Sequence, residues 1–115
     1  MSVRIFHNPR CSKSRATLEL LRDKGIEPEI TLYLDNPPTA DEIAAILSLL
    51  GREPRELMRR GEPEYAEQGL DDPSLTHAQL IAAMAATPRL IERPIVLANG
   101  KAAVGRPPES VLEIL

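Results

Sequence analysis

One cysteine, Cys11, stands four residues after His7 and three before Ser14, in the run His7-Asn8-Pro9-Arg10-Cys11-Ser12-Lys13-Ser14-Arg15. A cysteine does chemistry as its thiolate, and positive surroundings favour that form. Here they are positive: Arg4, Arg10, Lys13 and Arg15 fall within the first 15 residues with no acid among them. The remaining hundred residues hold all 17 acids against 10 bases, a balance of −7. Such a patch stabilises a thiolate and attracts an anion. A solvated basic terminus has the same composition, and a lone cysteine can equally be a small buried apolar residue, so local structure must decide. The Ser14 hydroxyl can donate to the thiolate or cap a helix. His7 can support the thiolate or be an ordinary turn histidine. Ser14 also sits where the second sulfur of a Cys-x-x-Cys motif would be, so the chain forms no local disulfide.

Two distant dipeptides carry complementary chemistry, Arg93-Pro94 and Arg106-Pro107. A residue before proline is held extended. The guanidinium fork matches the edge of a tetrahedral oxyanion. Two surface salt bridges are the alternative use of such arginines. Pro94, at the start of a strand, is a candidate cis-proline.

The elements that must position these groups can be read from periodicity. Val3-Arg4-Ile5-Phe6 is β-prone and ends at the turn signal Asn8-Pro9. Ser12 to Lys24 is helical, with Ala16, Leu20 and Leu21 in period, Leu18 beside them and Gly25 as the stop. Glu29 to Leu34 alternates, with Ile30, Leu32 and Leu34 on one face, and predicts a second strand parallel to the first. Cys11 therefore falls where a strand meets a helix N-terminus. There, unpaired amides and the helix dipole favour both a thiolate and a bound anion.

After Asn36-Pro37-Pro38 the chain turns helical. Thr39 to Glu42 is a capping box, and Ile43, Ile46, Leu47 and Leu50 form a stripe closed by Gly51. Arg55 to Arg60 predicts a shorter helical piece. Thr76 to Gln79 is a second capping box before Leu80, Ile81 and Met84, with Pro88 as the stop. Two β-prone runs, Ile95 to Leu97 and Ala102 to Val104, flank Asn99-Gly100, a strong hairpin signal. Pro107-Pro108 opens a last helix through Val111, Leu112 and Leu115. The order β-α-β, helices, β-β-α predicts an α/β thioredoxin-like fold with a mixed four-stranded sheet. It carries a helical insertion at about residues 37–91, in a single domain spanning 1–115.

Composition narrows the classes. The 115 residues fit one domain, with 43% apolar and 27% charged side chains. A net charge of −3 argues against general affinity for nucleic acid or acidic membrane. No apolar run spans a bilayer and no signal-peptide core is seen, so the expected compartment is the cytoplasm. One cysteine and two unclustered histidines, His7 and His77, predict no metal site.

Taken together these residues resemble the arsenate reductase family of the glutaredoxin-coupled type, within the wider group that includes Spx-like proteins. The matching pieces are His7 to Arg15, Tyr33 to Pro38, Arg55-Glu56-Leu57-Met58-Arg59, Glu92 to Val96 and Gly105 to Pro108, in family order along the whole chain. The resemblance implies that Cys11 attacks arsenic and that Arg59, Arg93 and Arg106 bind the oxyanion. It implies that His7 and Ser14 tune the thiolate and that Pro94 is a cis-proline. Arg55 and Arg60 equal Arg59 by composition; only the motif selects Arg59. It further implies arsenate as substrate, glutathione as co-substrate, glutaredoxin as partner and no bound cofactor. Where the family often reads Cys-Gly-x-Ser-Arg, this chain reads Cys11-Ser12-Lys13-Ser14-Arg15, and it stops at Leu115, which places it in a shorter subgroup.

Two other readings compete. One is a redox-responsive regulator of the Spx type that binds RNA polymerase, although that group typically uses a Cys-x-x-Cys switch. The other is a thiol oxidoreductase of the same fold with another oxyanion. A phosphatase-type loop needs Cys-x5-Arg, and the sixth residue after Cys11 is Thr17.

Overall fold

The computed structural model describes residues 2–115. They fall into two compact units, Met1–Asn36 with Arg93–Leu115, and Pro37–Glu92. The first is the thioredoxin-like α/β core; the second is the helical insertion, close to its predicted limits.

The core unit is one mixed sheet in the order β2-β1-β3-β4. β1 (Val3–His7) lies parallel to β2 (Glu29–Leu32) and antiparallel to β3 (Ile95–Ala98), which pairs antiparallel with β4 (Lys101–Val104). β3 and β4 form the predicted hairpin. Asn99 and Gly100 both have positive φ, 55° and 71°, the pair of left-handed residues that a tight twisted turn requires. The register sets Phe6 opposite Ile95 and Ile95 opposite Val104. The end of β1, the start of β3 and the end of β4 therefore share one end of the sheet, which brings Cys11, Arg93 and Arg106 to the same place.

The helix α1 (Ser12–Asp23) buries Ser14, Thr17, Leu18 and Leu21. This differs from the predicted stripe, since Ala16 is exposed and Leu20 only half-buried. The inward face carries two hydroxyl residues that a hydrophobic pattern cannot reveal. Ile5, Leu18, Leu21, Val96 and Val111 are among the buried residues of the core cluster here.

Two more elements depart from expectation. β2 ends at Leu32, not Leu34, because the amides of Asp35 and Asn36 both turn back to the Leu32 carbonyl. Ile30, Leu32 and Leu34 are 38%, 39% and 42% exposed, while Tyr33 between them is buried. On this edge strand the apolar alternation marks an outer face. The last helix is a 3-10 helix over Pro108–Ile114, and Val111 and Ile114 are its buried pair. Their spacing of three is the 3-10 repeat; Leu112 is largely exposed.

The insertion unit contains α2 (Ala40–Leu50), a 3-10 turn at Pro54–Leu57, α3 (Pro63–Glu67), α4 (His77–Ala86) and a second 3-10 turn at Pro88–Leu90. Both predicted capping boxes form, Thr39 with Glu42 and Thr76 with Gln79. Such caps each contribute about 1 kcal/mol. α2 buries Ile43, Ile46 and Leu47 and packs on α4, which buries Leu80 and Met84. The predicted helix at Arg55 to Arg60 stops at Leu57, since Met58 is extended and bridges Ile91. α3 was not anticipated: Pro63 opens it, but five residues are too few to show a period.

Candidate active site

Cys11 is the N-cap residue of α1, with extended φ and ψ of −95° and 122°. Its amide donates to the Asn8 carbonyl at 3.0 Å, and the Asn8 side chain accepts from the Arg10 amide at 3.0 Å. Asn8-Pro9 thus turns the chain from β1 into α1 with the sulfur at the helix start. The Arg15 guanidinium donates to the Pro9 carbonyl at 2.8 Å and clamps the same turn.

Cys11 is buried, with 8% of the residue exposed. Burial, the largest single influence, pushes the Cys11 thiol up. It is outweighed by the Ser14 amide, the Arg93 charge, the Lys13 amide and an Arg93 N–H, so the pKa lies below its ordinary value. The sulfur completes no side-chain capping bond. The amides therefore act as nearby aligned dipoles, the effect expected at a helix N-terminus. The cation that lowers this pKa is the distant Arg93, rather than the neighbouring Arg10, Lys13 or Arg15 side chains.

Arg93 and Arg106 converge as their hairpin positions require. Arg106 Nε donates to the Arg93 carbonyl at 2.7 Å, and Arg106 Nη2 lies 3.7 Å from Cys11 Sγ. Arg93 Nε is buried and has no hydrogen-bond acceptor. A buried guanidinium N–H without an acceptor is costly unless a ligand satisfies it. An oxyanion beside the sulfur would do so, and its charge suits two arginines.

The backbone here is specialised. The Arg93-Pro94 bond is cis as foreseen for Pro94, and so is Arg106-Pro107. Gly105 donates its amide to the Pro94 carbonyl at 2.9 Å. A Cβ at Gly105 would lie 2.5 Å from Thr17 Oγ1 and 2.8 Å from Pro94 Cγ, so only glycine lets this strand end meet α1. Gly105 and Thr17 thus fix where the two Arg-Pro segments sit against the cysteine helix. Thr17 was missed because its hydroxyl role, donation to the Lys13 carbonyl at 2.8 Å, leaves no periodic signal.

His7 and Ser14 are buried together, with His7 Nδ1 and Ser14 Oγ 2.6 Å apart. Ser14 Oγ also accepts from the Asn8 amide at 3.0 Å. The sequence expectation sent this hydroxyl to the thiolate; in the structure it serves His7 and Asn8, while the Ser14 amide serves the sulfur. Burial, then the charges of Arg22 and Arg15, lowers the His7 pKa. A neutral ring follows above pH 7, hydrogen-bonded through Nδ1 to the Ser14 hydroxyl. His7 thus braces the loop through Ser14 instead of offering a cation.

A pH dependence follows with a definite sign. In the unfolded chain His7 titrates near 6.5, so below that pH the unfolded state binds the extra proton. Stability then falls as pH drops from about 6.5 toward the lower folded value, and is unaffected by His7 above it. Thermal unfolding of wild type and His7→Gln at pH 7.5 and pH 5 should show the larger acid loss in wild type. Equal losses would contradict the buried neutral imidazole.

Arg59 belongs to the insertion unit. Its guanidinium pairs with Glu62 through Nη1 and Oε1. Its amide donates to the Leu90 carbonyl at 2.7 Å. Arg55, an equal candidate by composition, is instead spent on the carbonyls of Leu70 and Asp72 at 3.1 and 2.6 Å. The Arg60 guanidinium reaches the Arg55 carbonyl at 3.4 Å.

A thiol at a helix N-terminus on a thioredoxin-like sheet, with arginines converging on the sulfur, defines a cysteine-dependent oxyanion-binding class. The ArsC family model matches residues 6–114, and the chain belongs to the ArsC family. It is 53% identical to an arsenate reductase of Neisseria meningitidis serogroup A, over 98% of this chain and 97% of that protein. It is 56% identical to Escherichia coli K12 "uncharacterized protein YfgD", over 98% and 96% of the two chains. The structure of an arsenate reductase from Vibrio cholerae superposes with a TM-score of 0.98 at 52% identity, covering 100% of this chain and 98% of that one. No helix among the described residues is long and apolar enough to cross a membrane.

Proposed function

We propose that this protein reduces arsenate to arsenite, with glutathione and glutaredoxin as external thiols. The observation that carries the reading is the arrangement of Cys11 with Arg93 and Arg106: a thiol of lowered pKa, an Arg106 N–H 3.7 Å from it, and a buried Arg93 N–H without an acceptor.

Arsenate sits against the two arginines, with Arg59 as the third arginine by family position. The Cys11 thiolate attacks arsenic, an S–As bond forms, and one As–O bond breaks with the oxygen leaving as water after protonation. The arginines offset the oxyanion's charge as the adduct forms. Glutathione then supplies one external thiol and glutaredoxin a second. Their oxidation to a mixed disulfide delivers two electrons: arsenic passes from the fifth to the third oxidation state with one more oxygen leaving as water, and a water molecule then cleaves the S–As bond, releasing arsenite and returning Cys11 as thiolate. The single cysteine fits this scheme, since no internal resolving thiol is needed. His7 and Ser14 hold the cysteine loop, and the reaction takes place in the cytoplasm, where glutathione is kept reduced.

The test is arsenate-dependent NADPH oxidation with glutathione, glutathione reductase and glutaredoxin. Turnover that needs both arsenate and glutathione is expected. Silence with a competent glutaredoxin would overturn the proposal, and activity with a different oxyanion alone would redirect it to that substrate.

A further inference from the structure

We infer that a cleft beside the cysteine loop, lined by Asn8, Pro9 and Arg10 and by Leu32, Leu34 and Asp35, is the glutathione site: Arg10 takes a carboxylate of the tripeptide and Asp35 takes its ammonium. The inference rests on the proposed use of glutathione and gives that thiol a place on the core unit.

The sheet makes the cleft. β1 and β2 run parallel with His7 opposite Leu32, so the two strands end side by side. Two segments leave there, the cysteine loop from β1 and the turn after β2, which the Asp35 and Asn36 amides close on the Leu32 carbonyl. A cavity of about 340 Å³ lies between them, within the range of small-molecule sites. Arg10 is joined to Cys11 in the chain, so the cavity adjoins the residue that carries the sulfur. The strand order β2-β1-β3-β4 sets it on one flank of the cysteine loop and Arg93, ahead of β3, on the other. An oxyanion held by Arg93 and Arg106 therefore leaves the β2 flank to a second reactant.

The lining is specific in its chemistry. Leu32 and Leu34 are 39% and 42% exposed. Arg10 and Asp35 are exposed, and among the described residues neither side chain has a hydrogen-bond or ion-pair partner. Their backbones are nevertheless fixed, by the Arg10 amide on Asn8 Oδ1 at 3.0 Å and by the Asp35 amide on the Leu32 carbonyl at 3.0 Å. One unpaired cation, one unpaired anion and two uncovered leucines call for a ligand with both charges and hydrocarbon between them. Glutathione has that make-up: an ammonium and a carboxylate on its γ-glutamyl residue, a second carboxylate on its glycine, and methylenes between. The Arg10 fork matches a carboxylate edge. A second oxyanion fits poorly, since Asp35 repels it and the leucines give it nothing. A purely apolar ligand would desolvate two charges without pairing them.

S-methylglutathione, which cannot react, is titrated calorimetrically into the full chain, and KM values for glutathione, arsenate and glutaredoxin are taken from the coupled assay. Arg10→Ala and Asp35→Ala should each weaken S-methylglutathione, and raise KM for glutathione, by about three- to tenfold, the scale of one partly exposed ionic hydrogen bond. KM for arsenate and for glutaredoxin should stay within about twofold, because neither binds the cleft. The S-methyl analogue without its amino group should bind wild type and Asp35→Ala alike. Both side chains are exposed, so both variants should fold. Absence of S-methylglutathione binding to wild type at millimolar concentration, or equal binding in wild type and both variants, overturns the inference. So does an equal rise in KM for arsenate or glutaredoxin, which would give the cleft to that reactant instead. A wild type that is silent in the coupled assay, yet binds S-methylglutathione in a manner that needs Arg10 and Asp35, overturns the arsenate reading and leaves the glutathione site standing.

Discussion

Cys11→Ser should abolish arsenate-dependent NADPH oxidation, a loss of about 10³-fold or more, the scale seen when a covalent nucleophile is removed. Serine keeps the N-cap position and the size of the side chain. Serine is moreover a better cap than cysteine, so folding and thermal stability should hold. What disappears is a group that can ionise near neutral pH and form the bond to arsenic. The same argument fixes the pH profile of wild type. Alkylation of Cys11 should inflect below the ordinary thiol value of 9.0, because the Ser14 and Lys13 amides and Arg93 together outweigh burial. Full activity in Cys11→Ser would remove the adduct from the mechanism. An inflection at or above 9.0 would contradict the activated thiolate independently of the substrate.

Much of this site is legible in the sequence because it rests on local rules. The strand-turn-helix around Cys11, both capping boxes and the Asn99-Gly100 hairpin are each set by a few adjacent residues, and each forms. The convergence of Arg93 and Arg106 follows from hairpin geometry alone, once their flanking strands are paired. What escapes is tertiary. Ser14 and Thr17 face inward against an aliphatic pattern that pointed to Ala16 and Leu20, since a hydroxyl with a buried partner costs little to bury. The Ile30, Leu32 and Leu34 alternation has the period of a half-buried strand, but at the sheet edge the period gives a face and not its direction. Charge counting near Cys11 also misleads. Arg15 closes a turn, and the cations at the sulfur are Arg93 and Arg106, 82 and 95 positions later in the chain.

That division of labour makes the arginines the second decisive test. Arg93→Ala and Arg106→Ala should each lower kcat/KM for arsenate by about 10²- to 10³-fold, the scale of removing one preorganised donor from a developing charge. Both variants should also change the thiol. Arg93 lowers the Cys11 pKa by charge and by an N–H, so its removal should move the alkylation inflection upward. Arg106 donates an N–H to the sulfur at 3.7 Å, so Arg106→Ala should lose arsenate and should also move the inflection upward. The anchor of Arg106 is the Arg93 backbone carbonyl, which survives Arg93→Ala, so each side chain can be removed without displacing the other through that bond. Lysine separates charge from shape. Arg93→Lys should hold the inflection near wild type, because a cation remains. It should recover only part of the arsenate affinity, because an ammonium presents a point charge where the guanidinium presents a fork. Unchanged arsenate kinetics in both alanine variants would reduce Arg93 and Arg106 to scaffolding for the hairpin. Full recovery by lysine would show that charge alone suffices there and that the planar donor pair adds nothing.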